Sequence, residues 1–468
     1  MFTRLRIQNF KAWKDTGDIR LAPLTVFFGK NSSGKTSLQQ FLLMLKQTAQ
    51  SRDQRRVLHF GDADSLVELG VWPEMVFNHD PAAVLRFEVE WKHRLSRAMD
   101  ADEEGKIVLR RPRLTFEASI GRAEGPTERV EVKSFSFRFD RSVVHQAGAQ
   151  RLPTRLGMQK VAGDGYMLVA EPPPVLRREL APLPPPLHFY GFPHAIKLFY
   201  RRNAILSGID DLAYDLEQQF DAIEYLGPLR QKPWRTYSWS GEAPKEVGSA
   251  GERTVPALLA AQERLVTSGG QKDRPFLEVI ARHLMNMGLL ESFQARVVAE
   301  RRKEYELLVR TPGSARDVSL VDVGFGVSQV LPVLVQCFYA EPGSTVIFEQ
   351  PELHLHPHAQ SELGDLFIEA LDAKEGGSTR RVQFLIESHS EHLLRRIQRR
   401  IAEGRLKRED AALYFCSPGP DGSRIEELRL DEDGNIANWP ENFFGDEMGD
   451  LVAMTEAAVR RQTEQEKE

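Results

Sequence analysis

The sequence predicts an α/β fold split in two along the chain, with a strand-rich lobe and a helix-rich lobe inserted between the halves. Three observations predict it. The apolar run LTVFF (24–28) is followed directly by the loop GKNSSGKTS and then by a stretch with apolar residues at helical spacing. Two further apolar runs, STVIFEQPE and VQFLIESHS, arrive only after residue 317, each beside a helical run. Between these ends, residues 84–140 alternate as antiparallel strands do, and residues 190–300 look mainly helical.

The elements follow in order. TRLRIQNF (3–10) alternates polar and apolar, the pattern of a half-buried strand. LTVFF is apolar throughout, as a parallel strand covered on both faces is. SLQQFLLMLKQTAQS then continues as a helix free of Gly and Pro. AVLRFEVEW, KIVLRRPRLTFEASI and RVEVKSFSFRF form the strand-rich lobe, and EPPPVLRRELAPLPPP (171–186) reads as an extended connector. The tail RIEELRLDEDGNIANW suggests a hairpin whose Asp-Gly fits the turn, and AAVRRQTEQEKE is expected to fray. No internal repeat and no sustained heptad run is present.

Composition narrows the class. The 468 residues are 41% hydrophobic and 28% charged, with a net charge of -5. That suits a soluble globular protein and gives no global attraction to nucleic acid. Two cysteines, Cys337 and Cys416, exclude a disulfide framework and fit a reducing cytoplasm. MFTRLRIQNFKAW has no apolar core of a signal peptide, and no apolar run reaches the length of a membrane span.

The loop carries the chemistry. In GKNSSGKTS, Gly29 and Gly34 let successive backbone N–H groups turn inward, and the following helix adds its positive N-terminal end. Lys35 can reach terminal phosphates and the Thr36 hydroxyl can hold Mg²⁺. Lying between a buried strand and a helix, the motif reads as a P-loop that binds a nucleotide with Mg²⁺. Such a loop needs an acid at the end of a neighbouring strand, and Glu349 at the end of STVIFE supplies it. Gln350 follows. An amide can orient a water but cannot take its proton, so hydrolysis is expected to be slow or absent. Glu352 becomes a substitute base only if its loop turns it inward. His389, in the turn after VQFLIES, is placed to sense a terminal phosphate or to cap the helix EHLLRRIQRRI. DVGFGVSQVLPVLVQCF is a Gly-rich turn opening an apolar helix, where free N–H groups and the Ser328 hydroxyl form an anion site. His354, His356 and His358 alternate as metal ligands can, or simply pack beside the nucleotide. Arg395, Arg396, Arg399, Arg400, Arg405, Lys407 and Arg408 form either a phosphate-backbone contact or a solvated face.

These stretches together resemble the RecF/SMC/OLD-like branch of ATP-binding-cassette ATPases, bacterial "AAA family ATPases". The residues that carry the resemblance are NFKAW, GKNSSGKTS, YLGPLR with the following VG..GE, VGFGVSQVLP, IFEQPELHLHP and ESHSEHLL, with NWPENFF resembling a tail domain of unknown function. The resemblance implies an ABC-type ATPase head with an inserted antiparallel β lobe and a helical lobe. It implies that Gly29, Lys30, Asn31, Ser32, Ser33, Gly34, Lys35 and Thr36, with Ser37 behind them, are the Walker A loop. It makes Glu349 the Walker B acid and His389 the switch histidine. Gly324, Gly326, Ser328 and Gln329 become the signature region, which in the family contacts the γ-phosphate held by the partner subunit. It further implies a homodimer or higher even oligomer. In anti-phage systems of the Septu-like kind such an ATPase works with a separate nuclease. Trp13 or Lys11 is a candidate for the adenine side, and FGDADSLVELGVWPE yields no clear Q-loop glutamine. Gln350 departs from the usual Glu, and the signature lacks a Ser-Gly-Gly run. About 75 residues after His392 are too few for a Toprim nuclease, and Asp431, Glu432 and Asp433 read as turn residues.

The expected organisation is a first half of the head at 1–80, a β-rich lobe at 81–170 and a Pro-rich connector with a helical lobe at 171–314. The second half of the head follows at 315–420 and a hairpin tail at 421–468. The expected function is ATP-driven dimerisation that gates an effector in anti-phage defence. A DNA-binding repair ATPase and an ATP-binding scaffold without turnover are the alternatives, and no membrane role is expected.

Overall fold

The computed structural model describes residues 1–92, 113–123, 129–139, 154–161, 163, 165–171, 182–194, 196, 209–270, 272–299, 303–440, 443–445 and 447–465. The first part of the expected strand KIVLRRPRLTFEASI and most of the Pro-rich connector lie outside the described residues.

Two sheets organise the chain. β1 (Phe2–Phe10) is the expected half-buried strand, and β2 (Trp13–Asp15) and β3 (Ile19–Arg20) fold back on it antiparallel. β4 (Leu24–Gly29) is buried along its whole length, and α1 (Lys35–Ala49) leaves from its end. A short helix α2 (Trp72–Met75) precedes β5 (Leu85–Lys92), which pairs back onto β1. β6 (Arg113–Arg122), β7 (Val130–Phe139), β8 (Arg155–Lys160) and β9 (Tyr166–Glu171) extend this antiparallel sheet in the order β2-β1-β5-β6-β7-β8-β9. The strands of the 81–170 stretch therefore continue the layer that the N-terminal strand opens.

The stretch from 190 to 300 differs from its mainly helical expectation. α3 (Ile209–Asp221) is followed at once by β10 (Ile223–Leu226), a strand of the second sheet. β11 (Tyr237–Ser238), α4 (Thr254–Ala261), β12 (Leu265–Val266), β13 (Arg274–Pro275) and α5 (Phe276–Asn286) come next. β14 (Ser292–Ala299) and β15 (Glu304–Arg310) then form a hairpin, joined by β16 (Val318–Ser319). α6 (Phe325–Tyr339), β17 (Thr345–Glu349) and α7 (Pro357–Asp372) follow, then the small pair β18 (Lys374–Glu375) and β19 (Ser378–Thr379). β20 (Gln383–Glu387), α8 (Glu391–Ala402), β21 (Ala411–Ser417) and β22 (Arg424–Glu427) complete the head, and α9 (Glu447–Gln465) ends the chain.

The second sheet runs β10-β17-β20-β4-β21-β22. All its pairings are parallel except the last, β21 with β22. β4, β17, β20 and β21 read as nearly unbroken apolar runs because both faces are covered. Val26, Phe28, Val346, Phe348, Phe384 and Ile386 face one core, shared with α4, α5, α6, α7 and α8. Phe27, Ile347, Leu385 and Tyr414 face the other, shared with α1, α3 and the antiparallel sheet. Each fully buried aromatic of this kind contributes roughly 1.5–3 kcal/mol. Gln383 ties the two sheets together. Its amide nitrogen donates to the carbonyls of Phe2 and Ala22, and its oxygen accepts from the Phe2 N–H and the Thr345 hydroxyl.

The tail departs from its expectation in its hairpin pairing. β22 pairs with the preceding β21, so RIEE belongs to a hairpin with earlier residues, and the Asp-Gly turn closes only a bridge between Leu430 and Ile436. The chain ends in α9, helical through Gln465. Among the described residues no helix is long and apolar enough to cross a membrane.

Candidate functional site at the strand ends

The C-terminal ends of β4, β17 and β20 meet at one edge of the parallel sheet, where α/β folds place their ligands. The loop after β4 curls tightly. Gly29 has φ 142°, Ser32 φ 59° and Gly34 φ 88°. A Cβ on Gly29 would stand 2.1 Å from the carbonyl oxygen of Cys416 on β21. A Cβ on Gly34 would meet the Trp13 ring at 3.1 Å. Trp13 is thus buried beneath the loop. Its indole N–H donates to the Gly34 carbonyl at 3.1 Å and the Ser37 hydroxyl at 2.9 Å. That corrects the expectation that Trp13 flanks a base; Lys11 does line the cavity.

Lys35 folds back over its own loop, donating to the carbonyls of Gly29 at 3.0 Å and Lys30 at 2.8 Å. Burial pulls its pKa down. The buried Ser33 hydroxyl has no partner. A phosphate would take up these donors, since buried donors left unpaired cost free energy.

The acids stand one strand further along. Glu349 and Glu387 are register partners at the ends of β17 and β20. The Tyr225 hydroxyl donates to Glu349 at 3.0 Å, while burial and then the Glu387 charge push the Glu349 carboxyl up to about 7. Glu387 is 4.0 Å from the Lys35 ammonium, and burial raises its pKa while Thr36 and the Lys35 charge pull it down. Gln350 takes a left-handed φ of 44°, and its N–H donates to the Glu387 carbonyl at 2.9 Å. Arg230 braces that turn with one nitrogen 3.3 Å from the carbonyls of both Glu349 and Gln350, and burial lowers it to about 10. His389 is held below its ordinary pKa by burial and by Lys35.

Glu352 is inward, as a substitute base would need. Its Oε1, however, accepts the His389 backbone N–H at 2.6 Å, and it does not line the cavity. It buttresses the turn that carries His389.

The cavity at this edge has a volume of about 430 Å³. Asn31, Ser32, Ser33, Gly34, Lys35, Thr36 and Ser37 form its floor, and Gln350, Glu387 and His389 its far wall. Glu349 lies behind that wall. Gly324, Gly326, Ser328 and Gln329 lie at the start of α6 and do not line it. The Ser328 hydroxyl donates to the Phe325 carbonyl at 2.9 Å. Mg²⁺ keeps waters and phosphate oxygens and asks for only one or two carboxylates. The Thr36 hydroxyl and Glu387, whose Oε2 is unpaired, therefore fit it, with Glu349 behind them. Glu387, Tyr225 and Arg230 were missed from the sequence; the signal for Glu387 was its place as the last residue of a buried strand.

The histidine triplet has other work. His356 caps α7, its ring accepting the His358 N–H, and the His358 ring contacts the Asn286 carbonyl at 3.2 Å. Among the described residues no group of three His, Cys, Asp or Glu is placed to hold a metal. The arginines of α8 are largely neutralised: Arg396 and Arg400 pair with Asp365, Arg396 also with Glu362, and Arg399 with Glu403. Arg395 pairs with Glu391 and lies over the Trp439 ring.

Fold and loop together define a P-loop α/β head. Comparison with known families makes this more particular. Residues 1–104 match the model described as an AAA ATPase domain. Residues 228–395 match "AAA domain, putative AbiEii toxin, Type IV TA system". Residues 406–454 match a protein of unknown function, DUF3696. These matches agree with the RecF/SMC/OLD-like resemblance. No curated protein sequence matches the chain. Solved structures similar to it include the SMC head domain from Thermotoga maritima, at 13% identity and a TM-score of 0.39, covering 92% of this chain and 99% of that one. An SmcHead bound to the C-winged helix domain of ScpA has 13% identity and a TM-score of 0.42, covering 92% and 98%. The Smc head with an extended coiled coil bound to the C-terminal domain of ScpA, from Pyrococcus furiosus, has 9% identity and a TM-score of 0.38, covering 92% and 96%.

Proposed function

We propose that this chain is an ATP-dependent switch: two copies close on bound ATP and Mg²⁺, and closure gates a separate effector. One observation carries this reading. The cavity holds the phosphate-binding loop, but the glycine-rich start of α6 in the same chain stands apart from it. A second copy presenting Gly324, Gly326, Ser328 and Gln329 would complete the site with further N–H donors. Phe325, 61% exposed at that helix start, would be covered by such a contact.

In hydrolysis a water oxygen bonds to the γ-phosphorus and the bond to the β–γ bridging oxygen breaks, giving ADP and phosphate. The water's proton needs an acceptor, and Gln350 orients water without taking it. Turnover is slow on this reading, and the closed state is long-lived. Anti-phage defence in a bacterial cytoplasm, with a nuclease as effector, is the setting the sequence resemblance supports. Gln350 also favours a second reading, a scaffold that binds ATP without cutting it. The pairing of the α8 arginines speaks against direct DNA binding there.

The test is phosphate release by the purified chain in ATP and Mg²⁺, with and without duplex DNA. Release below roughly 1 per second, under the usual enzyme range, and insensitive to DNA is expected. Background release that Gln350→Glu fails to raise would favour the scaffold. Strong stimulation by DNA would favour a DNA-binding ATPase instead.

A further inference from the structure

We propose that Glu387, rather than Glu349, is the carboxylate that takes the Mg²⁺ of bound ATP beside Thr36; this rests on the ATP-binding reading and deepens it. Glu387 ends β20, the strand between β4 and β17, so it stands one strand nearer the phosphate loop than Glu349 does. It lines the cavity together with Thr36. Its side chain is only 4% exposed, yet Oε2 has no partner. Glu349 is occupied by the Tyr225 hydroxyl and does not line the cavity.

A bare carboxylate facing a triphosphate repels it, and more strongly where water is excluded. A divalent cation between them turns the repulsion into attraction. Mg²⁺ prefers hard oxygen ligands, takes one or two carboxylates, and fills the remaining positions with waters and phosphate oxygens. A buried carboxylate with open lone pairs, next to a hydroxyl at a helix start, is that ligand set. Glu349 then acts from behind, its charge and its Tyr225 contact fixing where the cation sits, as groups outside the ligand shell commonly do.

ATP affinity is measured by calorimetry in Mg²⁺ and in EDTA for wild type, Glu387→Gln, Glu387→Asp and Glu349→Gln. Wild type should bind more tightly in Mg²⁺. Glu387→Gln should lose most of that gain, while binding in EDTA equals or exceeds wild type because a repelling charge is gone. That unimpaired EDTA binding also shows the variant is folded. Glu387→Asp should recover part of the gain, and Glu349→Gln should lose less of it than Glu387→Gln. Mn²⁺ bound with a non-hydrolysable ATP analogue should give an electron paramagnetic resonance line shape that Glu387→Gln shifts toward that of the free Mn²⁺–nucleotide complex. The inference is overturned if Glu387→Gln keeps the full Mg²⁺ gain and Glu349→Gln removes it. A wild type that binds no nucleotide in either buffer overturns the ATP reading itself.

Discussion

Replacing Gly29 by alanine puts a methyl group where the structure has no room. The Cβ would lie 2.1 Å from the Cys416 carbonyl oxygen, a backbone atom, and at φ 142° the position is one that L-residues rarely adopt. The backbone conformation alone costs about 1–3 kcal/mol. Relief requires β21 to move away from Gly29, its register partner, and a lost ladder bond there adds about 1 kcal/mol. A total of about 3 kcal/mol is expected, together with loss of ATP binding, because Lys35 is anchored on the Gly29 carbonyl. Gly17→Ala is the matched control. Gly17 also has a positive φ, 63°, but nothing lies within 4 Å of its Cβ position. It should cost about 1 kcal/mol and leave ATP affinity unchanged. Urea unfolding and ATP calorimetry read both quantities. Equal stability loss in the two variants, or wild-type ATP affinity in Gly29→Ala, would refute the steric reasoning.

Three further predictions follow from other parts of the molecule. Gln350→Glu restores a proton acceptor at the cavity wall and should raise phosphate release at least about tenfold; an unchanged rate would mean that Gln350 is not where the attacking water is held. Burial, and then Arg282, hold His283 down at about 3, against an ordinary value near 6.5. The unfolded chain therefore takes this proton first as pH falls below about 6.5, and stability is lost from there downward. Between pH 7 and 5 His283→Gln should lose about 2 kcal/mol less than wild type in urea unfolding; parallel losses would contradict this. Asp365→Ala leaves two nearly buried guanidinium groups without their shared carboxylate and should cost about 3 kcal/mol. Arg399→Ala, on a 62% exposed side chain, should cost under about 1 kcal/mol and leave DNA affinity unchanged; equal costs would put the arginines to another use.

The head was legible where the sequence is locally consistent. LTVFF, the glycine-lysine loop and the helix after it carry their structure in adjacent residues, and so do the apolar runs ending at Glu349 and Glu387. What was not legible depends on partners far away in the chain. IEYL is four residues long and looks like part of a helical stretch; only pairing with β17, over a hundred residues later, makes it β10. The strands after 84 join β1 for the same reason. The arginines of α8 resemble a free basic patch until α7 sets Asp365 beneath them. Trp13 looks like an adenine contact by its closeness to the loop in sequence, but its indole N–H is spent on the loop from below. Glu387 was not legible because strand register, which sets it beside the phosphate loop, is not written in one strand alone.

The central claim is that ATP joins one copy's loop to another copy's α6 start. Sedimentation of mixed variants tests it most directly. Wild type should double in mass with ATP and Mg²⁺ and not with ADP, while Lys35→Ala alone and Ser328→Arg alone should stay monomeric. Mixed together, those two variants should form a dimer with one intact site, built from the unaltered loop of one copy and the unaltered helix start of the other. If Ser328→Arg dimerises with ATP as wild type does, or if the mixture stays monomeric while wild type pairs, the shared site does not exist.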